Sequence, residues 1–160
     1  MLASGVIVRR REKSPSTSHD AGTTDRVAEL YLCTLILNYG FEVFQPLVDV
    51  GVDFLAYNQR GSLLRIQSKS RSQEEMTVFD LSPPKSRKVE SPTHVIYARG
   101  RMPTDDHWLV PYSVVKRLAS KISGPRGRKI LRIVMSKPMQ RRFRDFYREE
   151  GFEAARGWKP

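Results

Sequence analysis

Two apolar runs, separated by five turn-forming residues, constrain this chain more than anything else in it. They are Val52-Asp53-Phe54-Leu55-Ala56-Tyr57 and Leu63-Leu64-Arg65-Ile66-Gln67-Ser68-Lys69, joined by Asn58-Gln59-Arg60-Gly61-Ser62. Runs of this length around such a linker read as neighbouring strands of a hairpin. Side-chain alternation puts Leu63, Arg65, Gln67 and Lys69 on one face of the second strand, and Leu64, Ile66 and Ser68 on the other. Gln67 and Lys69 then project side by side, and hairpin pairing brings Asp53 next to them across the ladder. A carboxylate, an amide oxygen and an ammonium converging at a sheet edge can hold a divalent cation beside a phosphate. Gln and Lys two apart on an edge strand are also ordinary solvent-facing residues. Asp inside an apolar strand is less ordinary.

Upstream, residues 24–39 carry a helical pattern. Thr23 or Thr24 serves as cap, Asp25 suits the first turn, and Gly40 follows the end. Apolar positions (Val27, Leu30, Tyr31, Leu35, Ile36 and Leu37) wrap around much of it, so it is expected to be largely buried. Glu29 is its only acid beyond the first turn. A carboxylate on a buried helix needs a partner. Arg26, three residues back, supplies one reading, and a place at the candidate site supplies the other. Strands are expected over Phe41–Leu47, Val52–Tyr57 and Leu63–Lys69. Asp49, at the turn between the first two, competes with Asp53 as a metal carboxylate, but Asp is common in turns. Asp53 is preferred because its strand leads into the hairpin with Gln67 and Lys69.

The order Glu29, Asp53, Gln67-Ser68-Lys69 resembles the PD-(D/E)xK nuclease superfamily, within it the group that writes the last motif as Gln-x-Lys and includes a group I intron-encoded homing endonuclease. The resemblance covers about residues 22 to 115. Val52 stands where the superfamily usually has Pro, and Gln67 where it usually has an acid. The resemblance implies an α/β, restriction-endonuclease-like core, a mixed β-sheet flanked by helices, in a metal-dependent DNA endonuclease. It implies Glu29, Asp53, Gln67 and Lys69 as catalytic residues. Asp53, the Gln67 side-chain oxygen and the Ser68 carbonyl would be ligands of Mg²⁺ or Mn²⁺, with Glu29 holding a second water or metal. Gln in place of an acid removes one negative charge, which weakens cation affinity and favours one metal over two.

The charge is unevenly placed. Residues 1–80 hold nine basic and ten acidic side chains, whereas residues 81–160 hold nineteen and seven, giving a chain of net charge +11. DNA, or another nucleic acid, is the partner such a field suits, because neutralising phosphates releases counterions. General polyanion attraction is the simpler alternative. Candidate backbone contacts are Lys85, Arg87 and Lys88 in a Pro-containing loop, Arg126, Arg128 and Lys129 around Gly124–Gly127, and Arg141, Arg144 and Arg148. The last three are expected on one face of a helix that Ser136 and Pro138 open and Gly151 closes. Phe143, Phe146 and Tyr147 read as core more than as base-stacking groups, and Trp108 reads as core.

Strands are also expected at Thr77–Leu81, Thr93–Ala98, His107–Val110 and Ile130–Met135, with a helix over Tyr112–Ser120. His94 and His107 lack paired ligand spacing. Residues 1–22 read as a flexible basic tail before one domain spanning 23–160, whose basic part lies at about 116–150. The single cysteine excludes a disulfide framework and a cysteine zinc site. No apolar run approaches membrane-spanning length, and the start is a poor signal peptide, so a cytoplasmic location is the expectation. Cutting both DNA strands needs two sites, which suggests a homodimer or homotetramer. A DNA- or RNA-binding protein of nuclease-like fold, without hydrolysis, is the competing function.

Overall fold

The computed structural model describes residues 21–47, 51–71, 77–82, 91–100 and 106–159. The expected tail up to residue 20, Asp49, and the basic loop of Lys85, Arg87 and Lys88 lie outside these residues. In chain order the elements are α1 (Ala21–Asn38), β1 (Glu42–Phe44), β2 (Phe54–Tyr57), β3 (Leu63–Arg71), β4 (Thr77–Leu81), β5 (His94–Arg99), β6 (Asp106–Pro111), α2 (Tyr112–Leu118), β7 (Ser120–Ser123), β8 (Lys129–Met135), α3 (Lys137–Arg142) and α4 (Arg148–Arg156). The helix thus begins at Ala21, two residues inside the segment expected to be tail. No helix among the described residues is long and apolar enough to cross a membrane.

The hairpin read from the two apolar runs forms. β2 and β3 pair antiparallel, Phe54 opposite Ile66 and Tyr57 opposite Leu63. Asn58 makes the turn: its side-chain oxygen accepts the N–H groups of Arg60 (3.0 Å) and Ser62 (2.9 Å), and Gly61 supplies the left-handed residue at φ +76°. The Asn58 amide also donates to the carbonyls of Ala155 (3.4 Å) and Arg156 (3.2 Å), which ties the turn to the end of α4.

Around this hairpin lies a five-stranded mixed sheet in the order β1-β2-β3-β5-β6, with β3 and β5 parallel and the other neighbours antiparallel. A second sheet, β4-β8-β7, is antiparallel throughout. Alternation on β5 explains the arrangement. Ile96 and Ala98 pack with Leu32, Leu35 and Ile36 of α1 and Phe152 and Ala155 of α4. Val95 and Tyr97 pack with Phe79, Ile133, Met135 and Phe143 on the other face. A strand buried on both faces reads as one continuous apolar run, as β5 does.

Three expectations need correction. α1 is not largely buried: Val27, Leu30, Tyr31 and Leu37 are between 39% and 52% exposed. β7 was not anticipated, because the helical reading continued through Ser120, whereas the residues after Leu118 turn into a strand. The expected helix from Ser136 to Glu150 is broken into α3, a 3-10 turn at Arg144–Phe146, and α4. The break has a physical cause. Phe143 belongs to one core cluster and Phe152 to the other, on opposite faces of the main sheet, and a straight helix cannot deliver both. The chain passes around the β6 edge instead, with Tyr147 bridging Trp108 and Arg148 held at φ +48°.

Gly151 therefore closes no helix; it lies buried within α4. A Cβ there would stand 2.4 Å from the Phe146 carbonyl oxygen and 3.2 Å from the Leu109 nitrogen. Both neighbours are backbone and cannot swing away. Gly151→Ala is expected to destabilise the fold by about 1–3 kcal/mol, although alanine is the better helix former by about 1 kcal/mol. Urea denaturation checks this, and an unchanged or raised midpoint would contradict it.

His94 is 1% exposed, edge-on to Trp158, with Nδ1 3.0 Å from the Thr93 hydroxyl. Burial pushes its pKa down from 6.5 to about 4. The unfolded chain takes up a proton below about 6.5 while the folded chain does not, so this group removes stability as pH falls from about 6.5 to about 4, by roughly 3 kcal/mol in all. An NMR titration of the imidazole should find a midpoint near 4; a midpoint near 6.5 would show that the ring is hydrated.

Candidate active site

The site begins where β3 runs on past the end of its pairing with β2. Arg65 and Arg71 carbonyls accept from Thr93 and Gly100 N–H groups on the β5 side, at 2.8 and 3.0 Å. Backbone polar groups alternate in direction along a strand, so those of Ile66, Ser68 and Ser70 point to the opposite edge. There β2 starts only at Phe54, opposite Ile66, and beyond that register no strand among the described residues pairs with this edge of β3. Asp53, just ahead of β2, fills the first vacant place. Its N–H donates to the Ile66 carbonyl (3.0 Å), and its Oδ2 accepts both the Ser68 N–H (2.6 Å) and the Ser68 hydroxyl (2.8 Å). The Ser68 carbonyl is directed toward the same opening.

Asp53, Ser68 and Lys69 line a polar cleft of about 190 Å³ with Glu29 of α1, Ser70 and Arg71 of β3, and Asp80 of β4. Of the residues singled out in the sequence, Glu29, Asp53, Ser68 and Lys69 are thus brought together. Gln67 does not line the cleft; it is half-buried opposite Val95. The Glu29 carboxylate meets Arg26 at 3.1 Å, the first partner read from the sequence, and the residue also lines the cleft.

Sequence reasoning missed Asp80. Arg132 grips it with two parallel bonds of 2.7 Å, Nε to Oδ1 and Nη2 to Oδ2. The hydrogen bond from Arg132 holds the Asp80 carboxyl below its usual range, and Arg71 and Lys69 add to the effect. Its only signal was an Asp on an alternating strand; the pairing partner lies on β8, more than fifty residues away in the chain.

The cleft offers carboxylate, hydroxyl and carbonyl oxygens with no imidazole or thiolate, a donor set that suits Mg²⁺ or Mn²⁺ rather than zinc. Among the described residues no group of three or more His, Cys, Asp or Glu side chains is placed to hold a metal ion. A cation here would complete its shell with water, hydroxyl or backbone oxygen beside a carboxylate. The residues fit that requirement: Oδ1 of Asp53 is not the oxygen that Ser68 engages, and the Ser68 carbonyl faces the opening.

The cationic residues form two groups. Arg126, Arg128 and Lys129 are exposed at the tip of the β7–β8 hairpin, where Arg126 takes φ +58°. Arg141, Arg144 and Arg148 are exposed, but the break after α3 separates them, so they do not share one helix face. Arg144 bonds Asp145 at 3.2 Å, and Arg148 lies 4.9 Å over the Tyr147 ring. Phe143 and Trp108 are core, as read from the sequence.

No protein-family profile matches the sequence. No curated protein matches it. Among solved structures, the chain is similar to a bacterial homing endonuclease at a TM-score of 0.56 and 18% identity, over 86% of this chain and 93% of that one. At that identity the likeness is one of fold: a mixed sheet flanked by helices.

Asp53→Ala would leave the Ser68 N–H without its acceptor at a buried position. A stability loss of about 1–3 kcal/mol is expected, with less for Asp53→Asn, which keeps an acceptor oxygen. Thermal unfolding of both variants checks this; an Asp53→Ala protein as stable as the parent would show that Ser68 finds water instead.

Proposed function

We propose that the chain is a metal-dependent endodeoxyribonuclease of the PD-(D/E)xK type. The observation that carries the reading is the convergence of Asp53, the Ser68 backbone and Lys69 on one cleft at the open edge of β3, faced by Glu29. The homing-endonuclease fold and the net charge of +11 support it. Asp53 and the Ser68 carbonyl would hold Mg²⁺ or Mn²⁺, and the Gln67 amide oxygen would join them only by turning toward the cleft; the cation's chemistry is to polarise a phosphoryl oxygen and acidify bound water.

The chain's own groups do the rest. Lys69 sets a positive charge beside the reacting phosphate, where negative charge accumulates in the transition state. Glu29, once parted from Arg26 or still shared with it, orients water across the cleft. Arg71 extends the positive lining along the strand. Phosphates farther along the DNA would be met by Arg126, Arg128, Lys129, Arg141, Arg144 and Arg148, with Lys85, Arg87 and Lys88 as additional contacts. A homodimer or homotetramer would bring two clefts to the two strands.

One observation favours the competing reading, a DNA-binding protein that does not cut. Both candidate carboxylates have protein partners, Glu29 with Arg26 and Asp53 with Ser68, and Gln67 does not line the cleft.

Incubation with supercoiled plasmid and Mg²⁺ separates the two. The nuclease reading expects nicking that falls at least about 100-fold in Asp53→Asn and in Lys69→Ala. Binding without nicking would select the alternative. In either case affinity for duplex DNA should fall steeply with salt, and removing Arg126 or Arg128 should lower the salt slope by about one each.

A further inference from the structure

α1 is apolar around most of its circumference, but among the described residues only one side of it is packed against the rest of the fold. Leu32, Leu35 and Ile36 are buried, while Val27, Leu30, Tyr31 and Leu37 are 46%, 52%, 39% and 50% exposed, and Thr34 is exposed between them. An all-round apolar helix belongs in an interior. The exposed residues are also ordered. Val27, Leu30, Thr34 and Leu37 follow the alternating spacing of three and four that forms a coiled-coil seam. Their types follow the same rule, with β-branched Val27 and Thr34 at one position and Leu30 and Leu37 at the other, the combination that favours two helices over three or four.

Charge points to the same occupant. The molecule carries +11, so two copies repel unless they meet where the charge is absent. From Leu30 to Asn38 the helix has no charged side chain, and just before that Arg26 and Glu29 neutralise each other. The face is set to one side of the cleft lining: Glu29 sits about 100° around the helix from Leu30. The face from Val27 to Leu37 runs about 15 Å along the helix, so the surface beside it must contribute as well to reach the roughly 1,000 Å² of a specific association.

We infer that the Val27–Leu30–Thr34–Leu37 face of α1 packs against the same face of a second copy of this chain, forming a twofold homodimer with both clefts left open. The inference does not rest on the nuclease reading, since the dimer stands or falls by association alone.

Sedimentation velocity on the full chain tests it, from about 1 to 100 µM at moderate salt. The parent should sediment as a dimer. Leu30→Glu, which places a carboxylate on the seam, and Thr34→Arg, which adds like charges at an already exposed position, should each weaken association at least 100-fold. Their circular dichroism should match the parent's, while their thermal midpoints should lose the concentration dependence that a dimer gives the parent. If Leu30→Glu fails to fold, Thr34→Arg decides alone. A parent that stays monomeric at 100 µM, or a dimer that Thr34→Arg leaves intact, would overturn the inference.

Discussion

One carboxylate decides how the β3 edge ends. Asp53 Oδ2 accepts two hydrogen bonds from Ser68, and its own N–H donates to Ile66. Three contacts from one residue thus replace the next step of the β2–β3 ladder. A buried N–H without a partner costs about 1–3 kcal/mol, so some group had to stand here. The side chain that does so is also the one whose remaining oxygen can serve a cation. Because the strand partner stops at Phe54, the Ser68 carbonyl faces an opening rather than a neighbour. The chemistry proposed for the cleft and the termination of the sheet are two results of one arrangement.

Around that point the molecule separates its tasks by face. α1 and α4 cover one side of the main sheet and the β4-β8-β7 sheet covers part of the other. Asp80 and Arg132 sit where the second sheet meets the end of β3, so the positive charge of Lys69 and Arg71 has an acidic neighbour there. Much of the remaining cationic surface, at Arg126, Arg128 and Lys129, projects from a hairpin with no acid in it. The neutral outer face of α1 is the complement: a place where a strongly basic chain can meet itself.

The hairpin and its turn were legible because local signals agreed: alternating apolar residues, then Asn58 and Gly61. The buried β5 strand was legible for the same reason. Asp53, Ser68 and Lys69 could be grouped from sequence because one short turn fixes their register. Gln67 was grouped with them by alternation, which places a side chain on a face but does not bring it to a cleft. Asp80 was hidden because its partner Arg132 comes from a distant strand. The α3–α4 break was hidden because Pro138, Phe143 and Phe152 are all compatible with a single helix locally. What divides them is that two core clusters on opposite sides of a sheet each claim a phenylalanine. The exposure of α1 was misread because an all-round apolar helix signals burial without saying by what.

The central claim is that the open edge at Asp53 and Ser68 takes a divalent cation. Titration of isotopically labelled protein with paramagnetic Mn²⁺, followed through backbone amide signals, addresses it directly. Line broadening should centre on Asp53, Ser68 and Lys69 at substoichiometric Mn²⁺ and vanish in Asp53→Asn. Broadening centred elsewhere, or unaltered by that substitution, would contradict it.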